Sequence, residues 1–480
     1  MNSTMHSGKY RKSEGVDVSS NKRRDGAETV LEDLPEEILT RILSRLNLKE
    51  VGRTSVLSHR WKDLWKFTPV SLEFDAWGTV GAELDRKKFK AWVNHILKSH
   101  KAQQVDSFIV RFNVQWRADF IHEWVSHALK KEARNIEINL SPSPTYHGGY
   151  VFPDLYKLLD SYGVKSSFGF LKSLKLVDVG IHDETLRCFL VSCTNLESLT
   201  ICGSRYTRHP CLVDPLPKLK YFAISCCYNM KSVEISVASL ASFSYSGPII
   251  NLSFDKIPNL SEVTLGGKFC QSFLLDANKH SSYSFQLETL KLDLPFKLTE
   301  TPPRDPAYYE SPYLPRYCKL KYMEVTALSV VGRSLLFCTK LIEACPLLHK
   351  FRIKVKYTLS SKLEPAILLP NVSADDAPIF QHESLKVVEL AGYIGCPSEE
   401  EFLTQLLKVA PCLEVVTIDT ENDFQRLADE FDCVQAQAQA WDGEELALPT
   451  CVYAKSRMEA VELAEGVQSK FPQETQVVII

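Results

Sequence analysis

The chain has 480 residues, of which 45% are hydrophobic and 24% charged, with a formal net charge of −3. That length exceeds one ordinary core and fits two or three domains or a repeat array, and the near-neutral balance gives no electrostatic case for a nucleic-acid or membrane partner. The first thirty residues lack a secretory apolar run, and no stretch reaches the eighteen or so uninterrupted apolar residues of a membrane span, so nucleus or cytoplasm is the expected location. The 14 cysteines include no C-x-x-C pair, which in a reducing compartment makes them buried small apolar residues rather than zinc ligands or disulfides.

Residues 1–29 are polar and aperiodic and are expected to be disordered. Their basic clusters, Arg11-Lys12 and Lys22-Arg23-Arg24, have the spacing of a bipartite nuclear import signal.

Three short helices are expected between Leu34 and Trp65. Pro35 suits a helix opening, and Glu36 and Glu37 place negative charge in the first turn. Ile38, Leu39, Ile42, Leu43 and Leu46 come next at spacings of three and four, which makes one apolar stripe. A second helix carries Val51, Val56 and Leu57, and a third presents Trp61, Leu64 and Trp65. Some thirty residues cannot bury this much Leu, Ile and Trp among themselves, so the surplus apolar surface needs the following domain or a separate protein.

The segment resembles the plant F-box, L-P-x-x-[IL]-L-x-x-I-L-S-x-L-x-x-K-[ED]-x-x-x-T-S-x-L-S-x-R-W-x-x-L-W. Leu34, Pro35, Ile38, Leu39, Ile42, Leu43, Leu46, Thr54, Ser55, Leu57, Ser58, Arg60, Trp61, Leu64 and Trp65 all match it. Three positions depart: Asn47 stands where proline is usual, Gly52 where an apolar residue is usual, and His59 where Lys or Arg is usual. The resemblance implies docking onto a Skp-family adaptor that bridges to a cullin. Leu34, Pro35, Ile38, Leu39, Ile42 and Leu43 would make apolar contacts. Val51, Val56 and Trp61 would be shared between contact and internal packing, with Trp65 turned toward the next domain.

From residue 105 the pattern apolar-x-x-apolar-x-apolar recurs twelve times, from Val105-Phe108-Val110 to Leu413-Val416-Ile418, at spacings of 20 to 38 residues. This is the leucine-rich-repeat signature, in which each unit gives a half-buried strand and a return segment. Helical returns are expected at residues 183–193, 333–344 and 399–409. The expected fold is therefore α/β: a small all-α three-helix F-box (30–68), then an irregular leucine-rich-repeat solenoid of parallel strands (69–420).

Residues 383–419 are similar to the FBD module of plant F-box proteins. Leu385-Lys386 leads through Gly392-Tyr393 and the acidic Glu399-Glu400-Glu401 to Leu406-Leu407 and Ala410-Pro411-Cys412-Leu413-Glu414. Residues 421–480 read as an acidic tail with a short helix from Ala454 to Gln468.

No site for chemistry emerges. His122 and His127 flank a helical segment but lie five apart, roughly 140° round a helix, whereas a zinc-protease pair needs four. No catalytic, metal-binding or cofactor-binding residue is expected. Lys350, Arg352, Lys354 and Lys356 alternate along one strand and so share a face, a candidate patch for an acidic or phosphorylated target. The resemblance implies a non-catalytic substrate receptor of a Skp-cullin-F-box ubiquitin ligase, acting by holding a target near the charged conjugating enzyme. The alternative is a repeat scaffold that binds protein partners without ubiquitination.

Overall fold

The protein is described by a computed structural model over residues 34–57, 59–76, 86–112, 120–141, 150–154, 156–161, 163, 168–213, 216–275, 281–294, 316–331, 334–359, 380–429 and 453–480. The N-terminal stretch with its two basic clusters lies outside the described residues.

Each repeated apolar triplet places its second and third residues on a strand, where alternation turns both to one side. In Ser173–Val177, Leu174 and Leu176 are buried while Ser173, Lys175 and Val177 lie partly open. The leading leucines, such as Leu171, Leu196, Leu219 and Leu240, are buried under the turn that enters the strand. All twelve triplets lie on strands of one 14-stranded parallel sheet, which begins at Leu72–Asp75 and runs in chain order. A single unit could not bury its apolar face; stacking makes the core continuous.

The expected helical returns form at Asp183–Val191, Phe337–Glu343 and Pro397–Val409. Helices at Arg86–Ser99, Phe120–Lys130 and Gly267–Leu275 are further returns, and three returns are extended: Cys211–Val213, Ser232–Ser236 and Asn251–Phe254 pair into a second sheet, with Ser232–Ser236 in the middle.

The sheet continues past the expected boundary at residue 420. Gln476–Ile479 pairs in parallel with Val415–Asp419, setting Val477 beside Val416 and Ile479 beside Ile418. The C-terminal helix Arg457–Gln468 is the return that carries the chain there, and Ala460, Ala464 and Val467 face inward. Without this strand the backbone edge of Val415–Asp419 would be open.

The three N-terminal helices are Glu36–Leu43, Leu48–Thr54 and His59–Leu64. They are fixed to the solenoid by a short junction. The buried His100 ring nitrogen Nε2 lies 3.0 Å from the Thr68 carbonyl, and the amides of Lys101 and Ala102 donate to the Lys66 carbonyl. Trp65 stacks on His100 with ring centroids 6.2 Å apart, facing the solenoid.

Candidate functional site: a helical hook and a strand face

The hook is clasped at both ends. Arg60 donates to the Leu34 carbonyl at 3.1 Å, tying the third helix to the entry of the first. Asn47 caps the second helix. Its side-chain oxygen accepts from the amides of Lys49 and Glu50, each at 3.0 Å, while Glu50 accepts from the Asn47 amide at 2.9 Å. This reciprocal box satisfies amides that have no partner within the helix, which explains the residue in place of the usual proline. Gly52 is exposed, and a methyl group added there would meet nothing within 4 Å.

The residues expected to contact an adaptor separate into two sets. Leu39, Leu43, Val51 and Trp61 are buried at 2% exposure or less and form the hook's own core. They are covered in this chain and hold the three helices against one another. Ile38 is 42% and Val56 85% exposed; Pro35 is exposed, and Leu34 and Ile42 are half-buried. Leu57, 54% exposed, extends the apolar surface; the motif contains it without marking it as a contact.

The open face of the large sheet is the second candidate surface. Toward its N-terminal end Arg111 contacts Glu137 at 3.0 Å, Glu73 at 2.7 Å and Asp75 at 3.3 Å, and Lys175 reaches Glu137 at 3.5 Å. The carboxylates hold the Arg111 guanidinium further toward its charged form, the hydrogen bonds from Glu137 leading. Three successive strands in the middle carry small or neutral groups: Ser198, Thr200 and Cys202; Tyr221, Ala223 and Ser225; Ser242, Ser244 and Ser246.

The basic strand Lys350–Thr358 lies further on, and its four cations share the open face as alternation requires. Two are ion-paired: Glu389 lies 3.2 Å from Lys350 and 2.8 Å from Arg352, and Glu324 lies 3.9 Å from Arg352. Lys354 and Lys356 are exposed and form no ion pair within 4 Å among the described residues. They line two adjoining grooves. One, of about 390 Å³, includes Thr264, Asp293 and Thr326. The other, of about 590 Å³, includes Gly392, Asp419 and Arg426. Burial raises the Asp293 carboxyl above its usual range, against the pull of Lys356.

Gly392 sits at φ +84°, and a side chain there would come within 2.2 Å of the Val355 carbonyl. The FBD-like glycine is therefore required by close backbone approach. Glu399, from the acidic cluster, is buried rather than solvated. It accepts from the amides of Ile394 and Cys396 and from the Tyr357 hydroxyl.

The two histidines of the His122–His127 segment have separate surroundings. His122 is buried with its ring 3.1 Å from the Tyr150 hydroxyl, and burial pushes His127 down to about 4. No cluster of three or more possible metal ligands occurs among the described residues, and no helix there is long and apolar enough to cross a membrane.

A three-helix hook with exposed apolar residues, fused to a parallel-strand solenoid, defines an adaptor-type interaction protein. Residues 31–70 match the F-box domain model, and residues 161–451 match the model described as At1g61320/AtMIF1, LRR domain. The FBD-associated F-box protein At1g66310 of Arabidopsis thaliana is 23% identical over 458 residues, covering 85% of this chain and 93% of its own length. The F-box/FBD/LRR-repeat protein At3g51530 from the same plant is 26% identical over 423 residues, covering 84% and 88%. The chain belongs to the plant F-box/leucine-rich-repeat family.

Proposed function

We propose that this chain is the substrate-recognition subunit of a Skp-cullin-F-box ubiquitin ligase. The hook binds a Skp-family adaptor and through it a cullin, and the open strand face holds a target protein. One observation carries the reading. Ile38 and Ile42 on the first helix, Leu34 and Pro35 at its entry, and Val56 and Leu57 in the turn that follows the second helix at Thr54, rather than on that helix as expected, leave apolar surface open around a fully packed interior. Such a surface is costly in water and is the expected anchor of an interface.

The chain supplies no nucleophile in this reading. It raises the effective concentration of a target lysine at the charged conjugating enzyme. Among the residues of the strand face, Lys354 and Lys356 are the cations free to meet an acidic or phosphorylated segment of the target. The basic clusters at Arg11-Lys12 and Lys22-Arg23-Arg24 fit a chain that enters the nucleus as well as working in the cytoplasm.

The test is reconstitution of the full chain with a Skp-family adaptor and a cullin, followed by size-exclusion chromatography. Co-elution of all three supports the receptor. Adaptor binding that blocks the cullin supports a non-ubiquitinating scaffold. Failure of a folded chain to bind the adaptor overturns the receptor and leaves the repeat scaffold that binds other protein partners.

A further inference from the structure

The residue after a strand of the large sheet repeatedly adopts the left-handed backbone region. Asp178, Gly203, Cys226, Gly267 and Gly392 occupy this position, at φ of 53°, 73°, 55°, 66° and 84°. Glycine takes that conformation freely and aspartate tolerates it; cysteine has no such affinity and pays for it in strain. At this position Cys226 therefore has no conformational reason to be a cysteine.

Its surroundings supply another reason. Cys202 ends its strand opposite Ser225 in the neighbouring strand, so Cys226 is one residue beyond that pairing. The two residues thus stand diagonally across neighbouring strands, and each thiol shifts the other's titration, Cys202 down and Cys226 up. Gly203, which precedes Cys226 in the stack, has no side chain to separate them; its amide donates to the Ser225 carbonyl at 2.9 Å. Cys226 is exposed and Cys202 half-buried, so a small oxidant reaches both. Cys227, next in sequence, is buried, and its sulfur turns to the Ser225 carbonyl at 3.3 Å.

We propose that Cys202 and Cys226 form an oxidisable dithiol on the strand face, closed to an intramolecular disulfide by peroxide. The Cys202 thiolate attacks one oxygen of hydrogen peroxide; the O–O bond breaks, hydroxide leaves, and Cys202 becomes a sulfenic acid. The Cys226 sulfur then attacks the Cys202 sulfur, gives up its proton, and the sulfenic hydroxyl departs as water. Two electrons pass from the thiol pair to the peroxide, which ends as two waters. Cys226 holds the Cys202 thiol below the usual cysteine range, which favours Cys202 as the attacking sulfur. The modification falls in the middle of the sheet, between its two ion-pair clusters.

The test is exposure of the folded full chain to stoichiometric hydrogen peroxide, blocking of remaining thiols with N-ethylmaleimide, and non-reducing peptide mapping. The expected product is a Cys202–Cys226 cross-link that forms in wild type and in Cys227→Ser. It is absent in Cys202→Ser and in Cys226→Gly, the latter relieving the strained backbone and so keeping the fold. In Cys226→Gly a sulfenic-acid probe such as dimedone should label Cys202. Without peroxide, Cys202 should react with iodoacetamide at pH 7 about tenfold faster than the exposed Cys318 and Cys412. A cross-link through Cys227, or oxidation of Cys202 to the sulfinic acid in wild type with Cys226 still free, overturns the proposal.

Discussion

The Tyr357 hydroxyl donates to the Glu399 carboxylate at 2.9 Å, and neither side chain is exposed to solvent. Tyr357 belongs to the basic strand and Glu399 to the first turn of helix Pro397–Val409, so the bond ties the candidate target strand to the FBD-like return. Glu399 accepts further bonds from the Cys396 amide at 2.9 Å and the Ile394 amide at 3.2 Å. Burial nevertheless dominates and lifts its carboxyl to about 7.

Stability should therefore depend on pH through Glu399. Its folded value lies above the ordinary carboxylate value of 4.5, so the folded chain holds the proton more tightly than the unfolded one. The resulting stabilisation is complete below the unfolded value and is lost as pH rises through about 7. Thermal unfolding of wild type between pH 6 and pH 8 should show a falling midpoint, and Glu399→Gln should flatten that slope. An equal slope in both proteins would remove Glu399 as its source.

Two substitutions in the hook should act in opposite directions. Asn47→Ala removes the capping acceptor and should cost about 1 kcal/mol. Gly52→Ala adds a methyl group in open space and should stabilise the second helix, by on the order of 1 kcal/mol. Chemical denaturation of the two variants checks both signs.

Gly392→Ala should be among the more damaging small substitutions in the repeats. It combines a left-handed backbone with a clash against the Val355 carbonyl and should cost on the order of 2–3 kcal/mol. Loss of protection of the Gly392 and Tyr393 amides, both bonded to the Asp419 carbonyl, should accompany it in hydrogen exchange.

The strand face should discriminate by charge at Lys354 and Lys356. A fluorescent polyglutamate peptide, titrated at low salt, should bind Lys354→Glu/Lys356→Glu about tenfold more weakly than wild type. Lys350→Glu should have a distinct effect, because it places a carboxylate beside Glu389. Equal binding by the double variant and wild type would take the two lysines out of target capture.

Much of this architecture was legible because leucine-rich repeats write their core into the sequence. Leu171, Leu174 and Leu176 announce one strand, and the next at Leu196, Leu199 and Ile201 repeats the message. The terminal strand Gln476–Ile479 carries no leading leucine of that kind, and a short Val-Val-Ile-Ile run gives no period, so its sequence reads as tail. Within the hook, the apolar stripe located Ile38, Leu39, Ile42 and Leu43 together. Which of them faces inward depends on how the three helices pack, and a single-helix period does not contain that information. Glu399 and Glu400 are neighbours in an acidic run, yet Glu399 is buried while Glu400 meets Lys470 at the surface. Asn47 reads as a departure from the family pattern; its role emerges only with Glu50 three residues on.

The central claim is that the hook's open apolar face is a docking surface for a Skp-family adaptor, and isothermal titration calorimetry of the full chain against that adaptor tests it most directly. Ile38→Glu/Val56→Asp alters exposed residues and should leave the fold intact by circular dichroism. Each large apolar side chain buried at an interface contributes about 1.5–3 kcal/mol, so the account predicts tight binding by wild type and at least a hundredfold loss in the double variant. Equal affinity of the two proteins, or no binding by folded wild type, would contradict it.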